Sequence, residues 1–441
     1  MTRIIAPRVG LFGLLGTGNF GNDGSLEAAL AHLRAERPDA VVDCFCSGPE
    51  YVTAHYGIAA VPLHRWAAYR LERRGPGATA LKVLGKVVDI GRTLAWVRRH
   101  DAVIVPGAGV LEATLPLRPW GFPYALFLLC LSGRLVGTRV ALLDVGADVI
   151  ESRATRGLLR SAARLAHHRS YRDAHSREAM RRMGVDVRGD EVGADLTFAL
   201  PLEATPRGPT GVVGVGLMAW SGNNVDRHRA EQIHEAYLAV MTAFVGWLVD
   251  GGRRVRLFVG DAADDPVVAQ VAAAVRAERP DLDAERVQVE PIRSLDDVAR
   301  GMRDVDTVVA TRYHNILTAL RLGTPTLSIG YSAKTDVVMA EMGLAEFRHS
   351  AHFPDLEQLI AQFTALEARR EELGRVVAAG AAASAERLRR QLDGLYRELL
   401  GEHTTPRGTR LLNRGRGDDM DGTVIGAGGS ADEPTTDAGA R

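Results

Sequence analysis

The chain has 441 residues and a mass of 47.5 kDa, which exceeds the usual size of one hydrophobic core and favours two domains. Lys plus Arg and Asp plus Glu both total 54, so the formal net charge is +0 and we expect no nucleic-acid partner. The three cysteines, Cys44, Cys46 and Cys130, provide no disulfide framework. No apolar run approaches the length of about 20 residues that a bilayer requires, and we expect a cytoplasmic protein.

Short apolar runs alternate with helical patterns in the first half of the chain, which is typical of βαβ units and a parallel sheet. The pattern predicts strands at 9–15, 40–45, 102–105 and 139–145, and helices at 25–34 and 124–135. We therefore expect residues 1–200 to form an N-terminal Rossmann-like domain.

The second half repeats this pattern after a segment at 201–210 with three prolines and a glycine, which we interpret as an interdomain linker. The pattern predicts strands at 212–217, 254–259, 307–310 and 326–329, and helices at 231–249 and 316–322. A second Rossmann-like domain is expected over 211–355, followed by a helical segment, 356–401, that packs across both domains. Residues 402–441 have almost no large apolar side chains and predict a disordered tail. The expected fold class is α/β with two Rossmann-like lobes.

A glycine-rich loop, residues 13–24, separates the first predicted strand from the first predicted helix and contains Gly18, Asn19, Gly21 and Asp23. Glycine lets a ligand approach the backbone closely, and a helix N-terminus attracts anions. The alternative is a tight turn between strand and helix. The polar side chains favour a ligand-binding loop, because a turn alone does not require them.

Two further segments carry cations. Arg172 offers a planar guanidinium suited to carboxylate or phosphate, although on spacing alone its pairing with Asp173 before a helix favours a salt bridge and helix cap. Arg312, His314 and Lys334 lie in predicted loops after the ends of two strands. Ligands bind at that edge of an open α/β sheet, where cations can neutralise an anion and histidine can move a proton. This group is the strongest candidate site.

Together these segments resemble the polysaccharide pyruvyl transferase family. The most characteristic stretch of that family has R-x-H at a helix entry, then G-x-P, then a strand that ends in Y-x-x-K. The matching segments here are 312–314, 323–325 and 331–334. The similarity continues through the G-N-x-G loop at 18–21, the strand and glycine turn at 101–109, the R-D-x-x-S segment at 171–176 and the aspartate segment at 193–195. The ordered set is more specific than any one motif.

The resemblance implies a glycosyltransferase-B-like fold and phosphoenolpyruvate as donor, with the pyruvyl group moved onto two hydroxyls of a sugar as a cyclic ketal and phosphate released. By match to the motifs, the expected catalytic residues are Arg172, His314 and Lys334. His314 would protonate the enol carbon and later accept a hydroxyl proton, while the two cations would hold the anionic groups and stabilise the departing phosphate. The expected substrate-binding residues are Gly18, Asn19, Gly21, Asp23, Gly107, Gly109, Arg312, Asn315 and Tyr331. No metal or further cofactor is expected, since no cluster has metal-ligand spacing.

Three residues depart from the family pattern. Asn22 precedes Asp23, where many members have aspartate directly after the last loop glycine, and the glycine turn contains Pro106 and Ala108. These departures lie in the N-terminal half and bear on the choice of acceptor. The acceptor could be a lipid-linked oligosaccharide, a glycolipid or a small glycoside, and no motif selects among them or indicates an oligomeric state.

Two other functions fit the same pattern. A nucleotide-sugar glycosyltransferase of the same fold would need a set of carboxylates or cations that holds the ribose and the diphosphate, for which Glu112 and Asp261 are possible but isolated candidates. A non-enzymatic glycan-binding relative would bind without turnover, and the joint presence of three matched catalytic residues argues against it. Trp220, after a predicted strand, could stack on a sugar ring or belong to the core.

Overall fold

The computed structural model describes residues 6–64, 76–112, 119–201 and 209–401. Two parallel sheets with flanking helices form its framework, and both belong to one compact unit, Ile5–Gly401. The predicted α/β fold with two Rossmann-like lobes is confirmed. The greater part of the predicted linker, 201–210, and the whole predicted tail, 402–441, lie outside the described residues.

The first sheet has seven strands in the order β3-β2-β1-β4-β5-β6-β7, all parallel. The strands are β1 (Arg8–Gly13), β2 (Val41–Cys46), β3 (Ala59–Pro62), β4 (Ala102–Pro106), β5 (Arg139–Val145), β6 (His168–Tyr171) and β7 (Glu191–Val192). Central strands are buried along almost their full length, as in sheets that helices cover on both faces. The flanking helices are α1 (Phe20–Glu36), α2 (Pro49–Tyr56), α3 (Pro76–Val97), α4 (Phe122–Val136), α5 (Arg153–Leu165) and α6 (Ala174–Arg182).

The second sheet has six parallel strands in the order β10-β9-β8-β11-β12-β13. The strands are β8 (Val212–Gly216), β9 (Arg254–Phe258), β10 (Val287–Val289), β11 (Thr307–Ala310), β12 (Thr326–Gly330) and β13 (Arg348–Ser350). The helices are α7 (Ala230–Asp250), α8 (Asp265–Ala277), α9 (Leu295–Met302), α10 (Tyr313–Arg321), α11 (Ala333–Glu341), α12 (Leu356–Ala368) and α13 (Arg370–Leu400). Among the residues described, no helix combines the length and apolarity needed to cross a bilayer.

The helix starts at the two candidate loops were predicted wrongly. Helix α1 begins at Phe20 rather than at residue 25, because the Asn19 side chain accepts the backbone N–H of Asn22 and caps the helix at that point. Helix α10 begins at Tyr313 rather than at residue 316. His314 therefore lies in the first helical turn instead of a loop.

The last helix, α13, contacts the first lobe. Tyr396 donates a hydrogen bond from its hydroxyl to the Ala29 carbonyl (3.0 Å), and Arg37 Nη1 donates to the Leu400 carbonyl (3.1 Å). The buried leucines of α13, among them Leu388, Leu392 and Leu395, join the core that both sheets share.

Asp144, near the end of β5, has φ +47 and is fully buried at a register shift between β5 and β6. Burial, only partly offset by Ser170 and Gln391, raises the pKa of Asp144 to about 8. The carboxyl of the unfolded chain ionises near the ordinary aspartate pKa of 3.8, so this group makes the protein less stable as the pH rises from 3.8 towards 8.

Asparagine tolerates the left-handed conformation and cannot ionise. Replacing Asp144 with Asn is therefore expected to raise the free energy of unfolding by about 2 kcal/mol at pH 7.5, with no gain near pH 4. Urea unfolding of both proteins at the two pH values measures this difference. An equal effect at both pH values would contradict a protonated native carboxyl.

Candidate active site

The candidate site forms at the carboxyl ends of strands from both sheets, where open α/β folds bind ligands. Arg172 directly follows β6, and Glu112 lies beyond the turn after β4. From the second lobe, Tyr313 and His314 occupy the first turn of α10, and Lys334 is the second residue of α11. Because the strands of each sheet are parallel, these side chains lie at the carboxyl edges of the two sheets.

Glu112 joins the two lobes through its carboxylate. Arg172 Nη2 donates to Glu112 Oε1 (2.7 Å), and Lys334 Nζ donates to Glu112 Oε2 (3.1 Å). The side chains of Glu112 and Arg172 are each only 4 % exposed. Burial alone would raise the pKa of Glu112, but the attraction of Lys334 and Arg172 outweighs it and lowers the pKa to about 2.

The remaining surroundings of Arg172 fix its orientation. Its Nε donates to Asp173 Oδ2 (3.2 Å), and its Nη1 lies 3.7 Å from Asp195 Oδ2. The Arg172 guanidinium lies 4.9 Å from the centroid of the Tyr313 ring, and Lys334 Nζ lies 5.3 Å from the same centroid. Two cations from different lobes are thus held side by side over one aromatic ring.

His314 projects from α10 onto α1. A Cβ at Gly21 would lie 1.7 Å from His314 Cε1, so only glycine leaves room for the ring at this contact. Burial lowers the pKa of His314 to about 4; Asp195 opposes this change, whereas Lys334 and Arg172 add to it. The imidazole is therefore neutral at pH 7 in the resting protein.

Glycines also provide space around the ion pair. A Cβ at Gly146 would lie 2.3 Å from Glu112 Oε1 and 2.8 Å from Arg172 Nη2. After β4, Gly107 and Ala108 both have positive φ, +46 and +59, and they turn the chain towards Glu112. Gly109 lies against the Glu112 carboxylate, because a Cβ added at Gly109 would be 2.7 Å from Glu112 Oε2.

Of the residues expected to bind substrate, those in the first loop largely build the loop itself. The Asp23 carboxylate accepts the Gly16 N–H (2.6 Å) and is buried, while Asn19 caps α1 and forms an isolated β-bridge with Asp261 of the second lobe. Gly18 has φ +80, and a side chain added there would meet open space. Among these loop residues, only Gly21 approaches the cluster around Arg172, which consists of Arg172, Glu112, Tyr313, His314 and Lys334. Gly21 does so by packing against the His314 ring.

Three further expected substrate-binding residues, Arg312, Asn315 and Tyr331, lie in the second lobe. Arg312 forms a bidentate pair with Asp264, with N–O distances of 2.6 and 2.8 Å, so its guanidinium is occupied within the lobe. Asn315 is fully buried. The Tyr331 ring packs on Trp220 with centroids 5.0 Å apart.

Trp220 itself is 3 % exposed and donates its Nε1–H to the Ala351 carbonyl (2.9 Å). Of the two alternatives left open by the sequence, the core position is the observed one.

Sequence reasoning assigned no catalytic role to Glu112, Tyr313 or Asp195. The sequence carries a signal for Glu112, because it follows the carboxyl end of β4 in the first sheet just as His314 and Lys334 follow β11 and β12 in the second. On sequence alone, Glu112 is a candidate only as an isolated carboxylate for a nucleotide. On sequence alone, Asp195 and Tyr313 are only members of segments that match the family motifs. The contact of Tyr313 with both cations depends on the early start of α10.

A group that could ligate a metal lies elsewhere among the described residues. His32, Glu36 and Asp393 place one ligand atom each within 4.8 Å of one another, and His32 Nε2 is 3.2 Å from Asp393 Oδ1. Arg389 also pairs with Asp393 at 3.2 Å. These residues link α1 to α13 and share no member with the cluster around Arg172.

Solved structures with similar folds cover nearly the whole described chain. The UDP-GlcNAc 2-epimerase from Neisseria meningitidis, bound to UDP-GlcNAc, aligns with a TM-score of 0.57 and 10% identity over 89% of this chain and 99% of that one. Anabaena HepE in complex with UDP and glucose aligns with a TM-score of 0.55 and 13% identity, over 89% of this chain and 99% of that one. The UDP-GlcNAc 2-epimerase of Methanocaldococcus jannaschii aligns with a TM-score of 0.53 and 10% identity, over 81% of this chain and 92% of that one. Identities this low establish the fold alone, which is glycosyltransferase-B-like.

The sequence narrows this class to one family. A family model for polysaccharide pyruvyl transferase matches residues 19–333, which is well over half of the chain and extends from the first loop into the second lobe. The chain belongs to the polysaccharide pyruvyl transferase family, as its motifs predicted. A search among curated proteins finds no significant match.

Proposed function

We propose that the protein transfers the pyruvyl group of phosphoenolpyruvate onto two hydroxyls of a glycan sugar, forming a cyclic ketal and releasing phosphate. The observation that carries this proposal is the convergence of Arg172 and Lys334, from different lobes, on one carboxylate beside a neutral histidine. Membership of the family supports the pyruvyl transfer.

The donor carries a carboxylate and a phosphate, and both need cationic partners. The planar guanidinium of Arg172 suits bidentate binding of either group, and Lys334 adds a point charge from the opposite lobe. Glu112 pairs with both cations, and Asp173 and Asp195 also lie beside Arg172. Binding of the donor would replace part of this carboxylate pairing with the anionic groups of the substrate, which would draw both lobes onto it.

The proton balance of the reaction fits a neutral His314. Two acceptor hydroxyls each lose a proton: one proton converts the donor methylene to a methyl group, and the other leaves with phosphate. A neutral imidazole takes the proton of the first hydroxyl and delivers it to the methylene carbon. Arg172 and Lys334 stabilise the phosphate as its C–O bond breaks during attack by the second hydroxyl.

The rival nucleotide-sugar function finds less support in the site. Its candidate carboxylates are both engaged: Glu112 pairs with Arg172 and Lys334, and Asp261 accepts the Ala263 N–H (3.0 Å). The uridine nucleotides named for the solved structures are ligands of those proteins, which resemble this chain only in fold.

A direct assay tests the proposal. The protein is incubated with phosphoenolpyruvate and a panel of lipid-linked and aryl glycosides, and phosphate release is followed together with product mass. We expect acceptor-dependent phosphate release and a sugar product that carries a pyruvyl ketal. Absence of phosphoenolpyruvate binding by calorimetry would overturn the proposal, whereas tight binding without product would direct the search to other acceptors.

A further inference from the structure

Helix α3 exposes an apolar face. Val83, Leu84, Val87 and Ile90 recur at helical spacing and are between 45% and 61% exposed, although isolated exposed apolar residues are more usual on a soluble surface. We refer to these four residues as the α3 face. An exposed apolar face of this kind indicates a surface that binds a partner.

An exposed tryptophan extends the α3 face. Trp120 is 64% exposed and packs edge-on against Tyr124, with ring centroids 5.8 Å apart. Tyr124 in turn donates its hydroxyl to the Lys86 carbonyl (3.2 Å), and Lys86 Nζ lies 5.5 Å from the Tyr124 ring centroid. Trp120 is therefore tied to α3 through Tyr124.

The position of this surface relates it to the candidate site. In a parallel sheet each connecting helix begins at the carboxyl edge of the preceding strand. Helix α3 follows β3 and Trp120 precedes α4, so the first half of α3 and Trp120 lie towards the strand edge that also carries Glu112 and Arg172.

The charges beside the α3 face are mainly positive. Lys82 is exposed, while the buried Asp89 pairs with Lys86 and Arg92 and lies 3.0 Å from His64 Nδ1. An apolar stripe with adjacent cations and an exposed tryptophan complements an anionic lipid surface, where tryptophan favours the headgroup level.

We propose that the α3 face and Trp120 bind the surface of an anionic phospholipid bilayer. The balanced net charge of the chain does not oppose this, because the attraction is local. Its purpose rests on the proposed function: a bilayer-bound N-terminal lobe would present the site edge to a glycan acceptor carried on a lipid.

Vesicle flotation tests the proposal without donor or acceptor, so its result does not depend on the transferase activity. The full chain is mixed with phosphatidylcholine vesicles that contain or lack phosphatidylglycerol. We expect flotation with the anionic vesicles, weakened by salt, and a roughly tenfold loss of binding for the double variant Leu84→Glu, Val87→Glu. Leu135→Glu is the matched control, because Leu135 is 71% exposed at the far end of α4.

A second measurement locates the contact. Brominated lipid is expected to quench tryptophan fluorescence in the wild-type protein, and the quenching should decrease in Trp120→Phe. The proposal is overturned if the chain does not float, or if Leu135→Glu weakens flotation as much as the double variant does. It is also overturned if the double variant converts a dimer to a monomer in the absence of vesicles, because the α3 face would then bind a second copy of the chain.

Discussion

Replacement of His314 with alanine is expected to lower kcat for ketal formation by roughly 10²–10⁴-fold, the usual range for a lost acid–base group. Binding of phosphoenolpyruvate should change far less, because Arg172 and Lys334 hold the anionic donor in the proposed site. Steady-state kinetics with saturating acceptor, together with calorimetric titration of the donor, separates the two effects. A variant that loses donor binding in proportion to kcat would assign His314 to binding instead of proton transfer.

A conservative variant distinguishes chemistry from packing. His314→Gln retains a polar side chain that can lie on Gly21 but cannot carry a proton at neutral pH, so it should be as inactive as the alanine variant. Gly21→Ala provides the complementary test, since its methyl group would displace the ring while the imidazole chemistry remains. Near-normal turnover in Gly21→Ala would show that the observed contact does not position His314.

The pH dependence of His314 follows from its lowered pKa. The native pKa is about 4 and the ordinary histidine pKa is 6.5, so between these values the unfolded chain binds more protons than the native protein. The stability contribution of the neutral ring is complete above pH 6.5 and is lost as the pH falls towards 4. NMR titration of the histidine Cε1–H signals, with the His314 signal assigned by its loss in His314→Gln, should show that this ring remains neutral at pH 5.5. The bound donor, being anionic, should raise that pKa.

The sheets were predictable because buried parallel strands are continuous apolar runs, as at residues 102–105, and such runs need no knowledge of their neighbours. The strand ends then identified the edge where His314 and Lys334 lie. Helix starts were less predictable: the glycines in the first loop suggested irregular backbone, yet Gly21 and Gly24 lie inside α1 because His314 and Leu295 approach them closely.

The contacts between lobes could not be predicted from local pattern. Glu112 and Lys334 are 222 residues apart, and their pairing depends on how the two lobes approach each other. Nor does the family motif indicate that Arg312 is engaged by Asp264 while Arg172 pairs with Glu112 beside Lys334. Both arginines have the residue type suited to an anion, and only the tertiary structure distinguishes the one that faces Lys334.

The second large effect is expected at Glu112. The variant Glu112→Gln keeps the size of the side chain but leaves Arg172 buried with a neutral partner, and removal of one member of a buried ion pair typically costs about 3–5 kcal/mol. We expect the free energy of unfolding to fall by about 3 kcal/mol at pH 7. The exposed Glu178, which pairs with Arg181 on the surface, is the matched control, and Glu178→Gln should leave the unfolding midpoint unchanged.

The pH dependence and a double-mutant cycle then locate the effect of Glu112 between the lobes. Because the native pKa is about 2 and the ordinary glutamate pKa is 4.5, the carboxylate stabilises the protein fully above pH 4.5 and loses this contribution as the pH falls towards 2. The penalty of Glu112→Gln should therefore shrink over that interval. If Glu112 and Lys334 interact across the cleft, Lys334→Met combined with Glu112→Gln should cost at least about 1 kcal/mol less than the sum of the single variants. Additive penalties would mean that the lobes do not meet at this pair in solution, and that the two cations are brought together only when the donor binds.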